Sequence, residues 1–410
     1  MVGTFSIGVL PISRKSSKLF DSRPSAAELQ IMETSDQRIC NMIRDMTTYF
    51  VSMIDPATNR FYLISRPPSG ELFHEHCPVR ELGVTWDALT LLEFWGKDEM
   101  NEKLEGIDKQ RLSSAVEETI QCYMNALTSY EDHLILDPNI LREPSNIAHS
   151  GFLILTIVIA LRMSMFDVAS VAPLVNKLAR GIISMQNPDG SFRVEFGSDD
   201  VYKMIEFFPG EAMVGLMELY TASERVPNLI NDSLHQSILL SMKRALKFYS
   251  NYWTTEEDVG LNFNIWQIQA FSRLFQNDLT CTDASSYTTF LCQDLARSLT
   301  WKMLSRGKSF YPNLQTVEIA IGMDAIMEGI STALIVTNDA DVPVFCRCAC
   351  NAVDFLETIQ SQVQKDSLVG FGGLGYGGLT VMEQRLDVTG HAVHALIKMV
   401  DLKRNMVAKY

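Results

Sequence analysis

The chain has 410 residues, 47 % of them hydrophobic, and a formal net charge of −14 at pH 7. So acidic a chain excludes a general basic grip on nucleic acid or anionic membrane, since both are polyanions that need a positive field. Small molecules or other proteins remain as partners. The longest apolar run, Gly151–Leu161, falls short of the roughly 18 residues that suggest a membrane span. Eight cysteines in so long a chain do not form a disulfide framework, which predicts reduced thiols and a cytoplasmic setting.

Residues 1–35 read as a partly irregular leader with Ser and Pro. Its apolar part precedes its basic part, the reverse of a secretory signal, while its Ser, Lys and Arg content keeps an organelle transit peptide open. From residue 36 to 410 no linker or low-complexity tract interrupts the chain, so a single domain is expected.

Two kinds of helix alternate along that domain. Segments 36–54, 110–130, 171–186, 234–253, 287–304 and 344–362 carry an apolar stripe, with charges such as Arg44, Glu117, Lys177, Lys243 and Arg297 on the open face. Segments 85–95, 149–163, 209–220, 264–275, 318–336 and 388–400 are apolar on nearly every side, the mark of a buried helix. Small residues such as Gly210, Ala212, Gly215, Gly390, Ala392 and Ala395 permit close approach between the second set. The six pairs recur at roughly 50 to 65 residues, a repeat in which no unit buries its own faces. The predicted fold is therefore all-α, an (α/α)6 toroid with six outer and six inner helices.

Connections from outer to inner helix are long, as at 55–85, 131–148 and 187–209, whereas returns such as 221–231 are short. Long loops on a rigid scaffold carry function, which places a ligand on the rim where the inner helices begin. Six helix N-termini there favour negatively charged groups. Asp87, Glu211, Glu318 and Asp387 fall at or just before inner-helix starts, and Trp86, Asn146, His149, Asn262, Asn264, Trp266, Tyr311, Arg385 and His391 lie close by. Helix capping is the plain alternative for each acid.

Asp387 and His391, at i and i+4, share a helical face and suit an oriented acid–base pair. Arg385 upstream suits a clamp on a ligand carboxylate or phosphate. Glu211 is the second candidate proton carrier. Trp86, Trp266 and Tyr311 are candidates for stacking on a ligand, and Asp87, His149, Asn264 and Glu318 for polar contact. The glycine-rich stretch Phe371–Gly378 lacks the Lys-Ser/Thr ending of a phosphate-binding loop. His74–Cys77, "HEHC", lacks a second clustered ligand pair, so neither metal nor cofactor is expected.

The phrases "FFPGEAMVGLMELY" (207–220) and "QRLDVTGHAVHALIKM" (384–399) are similar to those of six-hairpin (α/α)6 enzymes, among them N-acylglucosamine and glucuronyl epimerases, glycoside hydrolases and polysaccharide lyases. That resemblance implies a site at Glu211, Arg385, Asp387 and His391. A second phrase, "ARGIISMQNPDGSF" (179–192), resembles the Gln-x-x-Asp-Gly-Ser-aromatic motif of terpenoid cyclase toroids. The chain has no Asp-x-Asp-Asp or Asp-Asp-x-x-Asp cluster, so the motif reads better as a helix terminator in which Gln186 bonds neighbouring backbone. The leading expectation is an enzyme working by general acid–base catalysis on a small carbohydrate- or uronate-like substrate. A cyclase or isomerase of specialised metabolism is the alternative, and a non-catalytic binding toroid the third reading.

Overall fold

The computed structural model describes residues 36–67, 69–97, 102–256, 259–304, 315–338, 340–366, 372–375 and 383–409. The leader, Tyr311 and much of the glycine-rich stretch lie outside these residues. Among them twelve long helices alternate as outer and inner. The outer ones are α1 (Asp36–Ser52), α3 (Lys109–Asn125), α5 (Val168–Ser184), α7 (Asp232–Thr255), α9 (Thr282–Leu304) and α11 (Val342–Asp366). The inner ones are α2 (Pro78–Trp95), α4 (Ile147–Arg162), α6 (Phe208–Ser223), α8 (Leu261–Asn277), α10 (Thr316–Ile335) and α12 (Leu386–Lys409).

Burial follows the sequence pattern. Every residue of α4 from Ile147 to Leu161 is buried, so this helix has no solvent face. In α5 burial is confined to Val171, Val175, Leu178, Ala179, Gly181 and Ile182, a stripe at helical spacing. The inner helices pack on one another in sequence order, and α12 packs back on α2, closing an (α/α)6 toroid. Each outer helix lies against the inner helix before it, with α1 on α12.

Glycines set the spacing of the inner ring. A Cβ on Gly215 would stand 2.2 Å from the Gly151 carbonyl oxygen, and one on Gly151 would stand 2.6 Å from the Ala212 Cα, so α4 and α6 touch backbone to backbone. Ring closure uses the same device, because a Cβ on Gly390 of α12 would reach Asp87 Oδ2 of α2 at 2.1 Å.

Short strands tie the rim together. Strand β1 (Ile64–Arg66) pairs antiparallel with β2 (Glu71–Phe73) and with β5 (Gln384–Arg385), joining the first long loop to the residues that open α12. A second hairpin, β3 (Leu127–Tyr130) with β4 (His133–Leu136), stands in the loop before α4. The "QNPDGSF" turn after α5 is a clasp. Gln186 Nε2 donates to the carbonyls of Gly190 (3.1 Å) and Ser241 (2.9 Å), and Ser241 Oγ returns a bond to Gln186 Oε1. Gly190 holds φ +101° where a Cβ would strike the Arg244 carbonyl at 2.2 Å. The motif therefore fastens α5 to α7, the structural role expected of it.

One boundary moves far enough to matter. Helix α2 starts at Pro78 rather than near residue 85, because Pro suits the first helical turn and buried Glu81 finds partners there. Arg60 reaches Glu81 with Nε (2.9 Å) and Nη2 (2.5 Å), and the Tyr123 hydroxyl donates at 2.7 Å. Asp87 and Trp86 consequently lie more than two turns down the helix, inside the ring.

Gly215→Ala is expected to destabilise the protein by about 1–3 kcal/mol through overpacking, measured by denaturant unfolding. Gly83→Ala is the control, since its Cβ would meet nothing nearer than Phe152 at 4.0 Å. It is expected to be neutral, or stabilising by up to about 1 kcal/mol through helix propensity.

Candidate active site

A cavity of about 580 Å³ opens where the inner helices begin. Eight of the residues singled out from sequence line it: Asn146, Glu211, Asn262, Trp266, Glu318, Arg385, Asp387 and His391. They come from the start of α4 and from α6, α8, α10, β5 and α12, elements distant in sequence that only the closed ring brings together.

Glu211 sits in the first turn of α6, after the Pro209-Gly210 start. No side chain caps this helix, and Glu211 Oε2 is buried without a hydrogen-bond partner. Burial alone pushes its carboxyl up to about 8, so at neutral pH it is mostly a protonated acid. Asp387 lives differently. Arg385 grips it as a fork, Nε to Oδ1 at 3.0 Å and Nη2 to Oδ2 at 2.5 Å, and Arg80 Nε stands 3.9 Å from Oδ2. Such a bidentate, charge-assisted pair fixes the orientation of the carboxylate. Two carboxyls in one cavity thus face opposite environments, one buried without a partner and the other gripped by a guanidinium.

His391 lies one turn beyond Asp387. Its Nδ1 is buried with no hydrogen-bond partner, and burial lowers its pKa below the ordinary histidine value. Asp387 spends both oxygens on Arg385, so the side chains of the i, i+4 pair share the cavity without Asp387 engaging His391 Nδ1. Trp266 edges onto His391 with ring centroids 6.3 Å apart, and its Nε1 is also buried and unpartnered. Gly210 lets this indole in, because a Cβ there would stand 2.4 Å from Trp266 Cβ.

The structure sends the remaining sequence candidates elsewhere. His149 is buried in a capping box: its Nδ1 accepts from the Asn146 backbone N–H (3.2 Å), its own N–H donates to Asn146 Oδ1 (3.0 Å), and its Nε2 meets Glu143 Oε1 at 3.1 Å. It orients Glu143 and Asn146, which do line the cavity. Asn264 turns toward the outer layer, accepting from Trp253 Nε1 (2.9 Å) and donating to Asp294 (3.0 Å). Trp86 and Asp87 lie deeper, for the boundary reason given above; burial, with the charges of Asp324 and Asp387, pushes Asp87 well above the usual carboxylate range. Glu318 lines the cavity while paired with Lys302 at 2.6 Å. Tyr311 lies outside the described residues.

Arg80, Glu143, Glu195 and Lys203 line the cavity without having been weighed from sequence. Lys203 pairs with Glu195 at 2.6 Å, and Arg80 pairs with Glu75. Their sequence signal was the plain one of charged residues inside long rim loops and a helix start. Of the "HEHC" run, His74 contacts the Phe61 carbonyl and Asp55 at 3.1 Å each, and His76 contacts the Leu141 carbonyl. Among the described residues no three His, Cys, Asp or Glu side chains are grouped to hold a metal ion.

No protein-family model matches the sequence, and no curated protein matches it. Solved structures do resemble it. An unsaturated glucuronyl hydrolase specific for heparin aligns at TM-score 0.53 and 13 % identity, over 90 % of this chain and 99 % of that one. D-mannose isomerase aligns at 0.58 and 13 %, over 93 % and 100 %. The GH76 α-mannanase of Bacteroides thetaiotaomicron aligns at 0.54 and 11 %, over 93 % and 99 %. The fold is that of the (α/α)6-barrel enzymes.

Arg385→Met is expected to cost about 3–5 kcal/mol, because it leaves the Asp387 carboxylate buried without its partner. Adding Asp387→Asn to that variant is expected to recover part of the loss. A double-mutant cycle by denaturant unfolding measures both.

Proposed function

We propose that the protein is an enzyme acting by general acid–base catalysis on a carbohydrate- or uronate-like substrate bound in the rim cavity. One observation carries this reading: Glu211 Oε2, His391 Nδ1 and Trp266 Nε1, each buried and unpartnered, belong to side chains lining a single cavity. Buried polar groups are ordinarily bonded, and each exception asks for an explanation. A bound ligand with hydroxyl groups supplies the missing partners.

Glu211, protonated at neutral pH, is the proton donor to the substrate. Asp387, oriented by Arg385, is the proton acceptor, and neutral His391 bonds or relays beside it. Arg385 serves Asp387 through its fork, so we assign it to positioning that carboxylate. The ionised side chains Arg80, Lys203 and Arg385 each already have an acid partner, which suits a sugar ring whose hydroxyls both donate and accept. Trp266 offers an aromatic wall. The likeness to a glucuronyl hydrolase, a mannose isomerase and a mannanase supports the same substrate class.

The cyclase reading asks for an aromatic-walled, apolar cavity. This one mixes Phe152, Phe207, Phe208 and Trp266 with charged and amide side chains such as Glu195, Lys203, Asn262 and Gln315. The scaffold reading asks that Glu211 and Asp387 be spent on helix caps, whereas both line the cavity and Glu211 caps nothing.

Glu211→Gln and Asp387→Asn are each expected to lower turnover of a sugar substrate by roughly 10²–10⁴-fold, with circular dichroism unchanged. Wild-type activity should fall as pH rises through about 8, when Glu211 loses its proton. Near-normal turnover in either variant counts against the assignment.

A companion test needs no substrate. Glu211 is raised from an ordinary value of 4.5 to about 8 in the folded protein. Below 4.5 both folded and unfolded states hold the proton; between 4.5 and 8 the unfolded state releases it first, so stability declines as pH rises. Glu211→Gln lacks this decline. Its stability relative to wild type should grow across that window by up to about 1.4 kcal/mol per pH unit, and a flat difference contradicts the buried neutral acid.

A further inference from the structure

The inner helices end at the opposite mouth of the toroid, where a second cavity of about 370 Å³ opens. Helix C-termini carry partial negative charge, which favours bases there, and Arg162, Arg273 and Lys398 converge on this space. Acids accompany them. Arg162 bonds Glu218 and reaches Glu93 at 3.3 Å, and Lys398 Nζ pairs with Asp324 at 2.8 Å and Glu328 at 2.6 Å.

Arg273 is less well served. Its Nη1 donates to its own helix at the Gln269 carbonyl (2.9 Å), but Nε lies 3.9 Å from Glu218 and Nη2 lies 3.5 Å from Glu328. Both exceed ordinary N–H···O hydrogen-bond lengths. His394, only 5 % exposed, also lines the cavity, and its Nδ1 is buried with no hydrogen-bond partner, 3.6 Å from Asp324 Oδ2 and 3.9 Å from Asp87 Oδ1. A buried mixed-charge network adds little stability over apolar packing of the same volume. Its half-bonded members are what a ligand site leaves open.

We propose that this opposite mouth is a second binding site, for a neutral polyhydroxylated molecule the size of one sugar ring. An anion would face Glu93, Glu218 and Asp401, and a cation would face Arg162, Arg273 and Lys398. Hydroxyl groups meet both, donating to the carboxylates and accepting from the Arg273 guanidinium. The volume lies at the lower end of the roughly 300–1,000 Å³ of ligand pockets, which sets the limit at a single ring.

The site is distinct from the rim cavity. An aromatic floor separates them, with Phe152 and Trp266 facing the rim and Trp86 facing the opposite mouth, at centroid distances of 5.8 Å between Phe152 and Trp266 and 6.1 Å between Trp86 and Phe152. The proposal therefore stands whether or not the rim is catalytic.

The test is calorimetric titration of the full chain with glucose, mannose and myo-inositol, beside glucuronate and glucosamine as charged counterparts. At least one neutral probe is expected to bind, about tenfold or more weakly in Arg273→Met, which loses a charged donor. Thr90→Trp is the second variant, because Thr90 lines the mouth and its hydroxyl bonds only its own helix at the Trp86 carbonyl. It fills the cavity without replacing any member of the ion network, and it should abolish binding. The rim variant Glu211→Gln should leave this binding unchanged. Binding lost in Glu211→Gln but kept in Thr90→Trp overturns the proposal. So does tighter binding of glucuronate or glucosamine than of glucose where that binding is lost in Thr90→Trp and so belongs to this mouth, or no heat with any neutral probe up to its solubility.

Discussion

Six helices that are apolar on every side can leave water only by closing on one another, and the closing contact is α12 on α2. That seam is tight. Gly390 lies against Asp87 so closely that any side chain at position 390 would meet the carboxylate, and the β2-β1-β5 sheet zips the first rim loop to the residues that start α12. Closing the ring sets Arg385 and Asp387 opposite Glu211 of α6 and buries Asp87 among the inner helices. Site chemistry and fold thus share one constraint.

Along its axis the ring holds a layered interior. The rim cavity lies above an aromatic floor of Phe152, Trp266 and Trp86, and below that floor Asp324, Glu328, His394 and Lys398 form a polar plug. Burial lowers the His394 pKa to about 3, so this imidazole is neutral, and Lys398 carries the plug's positive charge against Asp324 and Glu328. Burial opposes the charge on Glu328, yet Lys398 and Arg273 outweigh it and hold that carboxyl down to about 2. An acid kept neutral at the rim and acids kept ionised in the plug show how neighbours, rather than residue type, decide protonation here.

The toroid was legible because outer and inner helices differ in a property that periodicity reports directly: a stripe in α5, burial on all sides in α4. Eight rim residues were legible for a related reason, since an inner-helix start fixes which residues reach the cavity. Where a start was misplaced, the residues went astray. Reading α2 from residue 85 put Trp86 and Asp87 on the rim, because the stretch from Pro78 to Val84 carries Arg80 and Glu81, whose partners Glu75 and Arg60 come from a loop no stripe reveals. His149 and Asn264 failed differently: each stands in a first turn, but one completes a cap and the other turns to the outer layer. The plug left a signal that was passed over, charged residues at i and i+4 within apolar helices, Asp324 with Glu328 and His394 with Lys398. Three-residue strands left none.

The central claim is that Glu211 is a buried acid holding its proton at neutral pH inside a ligand cavity. The most direct measurement is a pH titration of its carboxyl carbon by NMR in glutamate-labelled protein, assigned by difference from Glu211→Gln. The account expects a midpoint near 8 that moves when a sugar ligand occupies the rim. A midpoint in the ordinary carboxylate range, unmoved by any sugar, would contradict it.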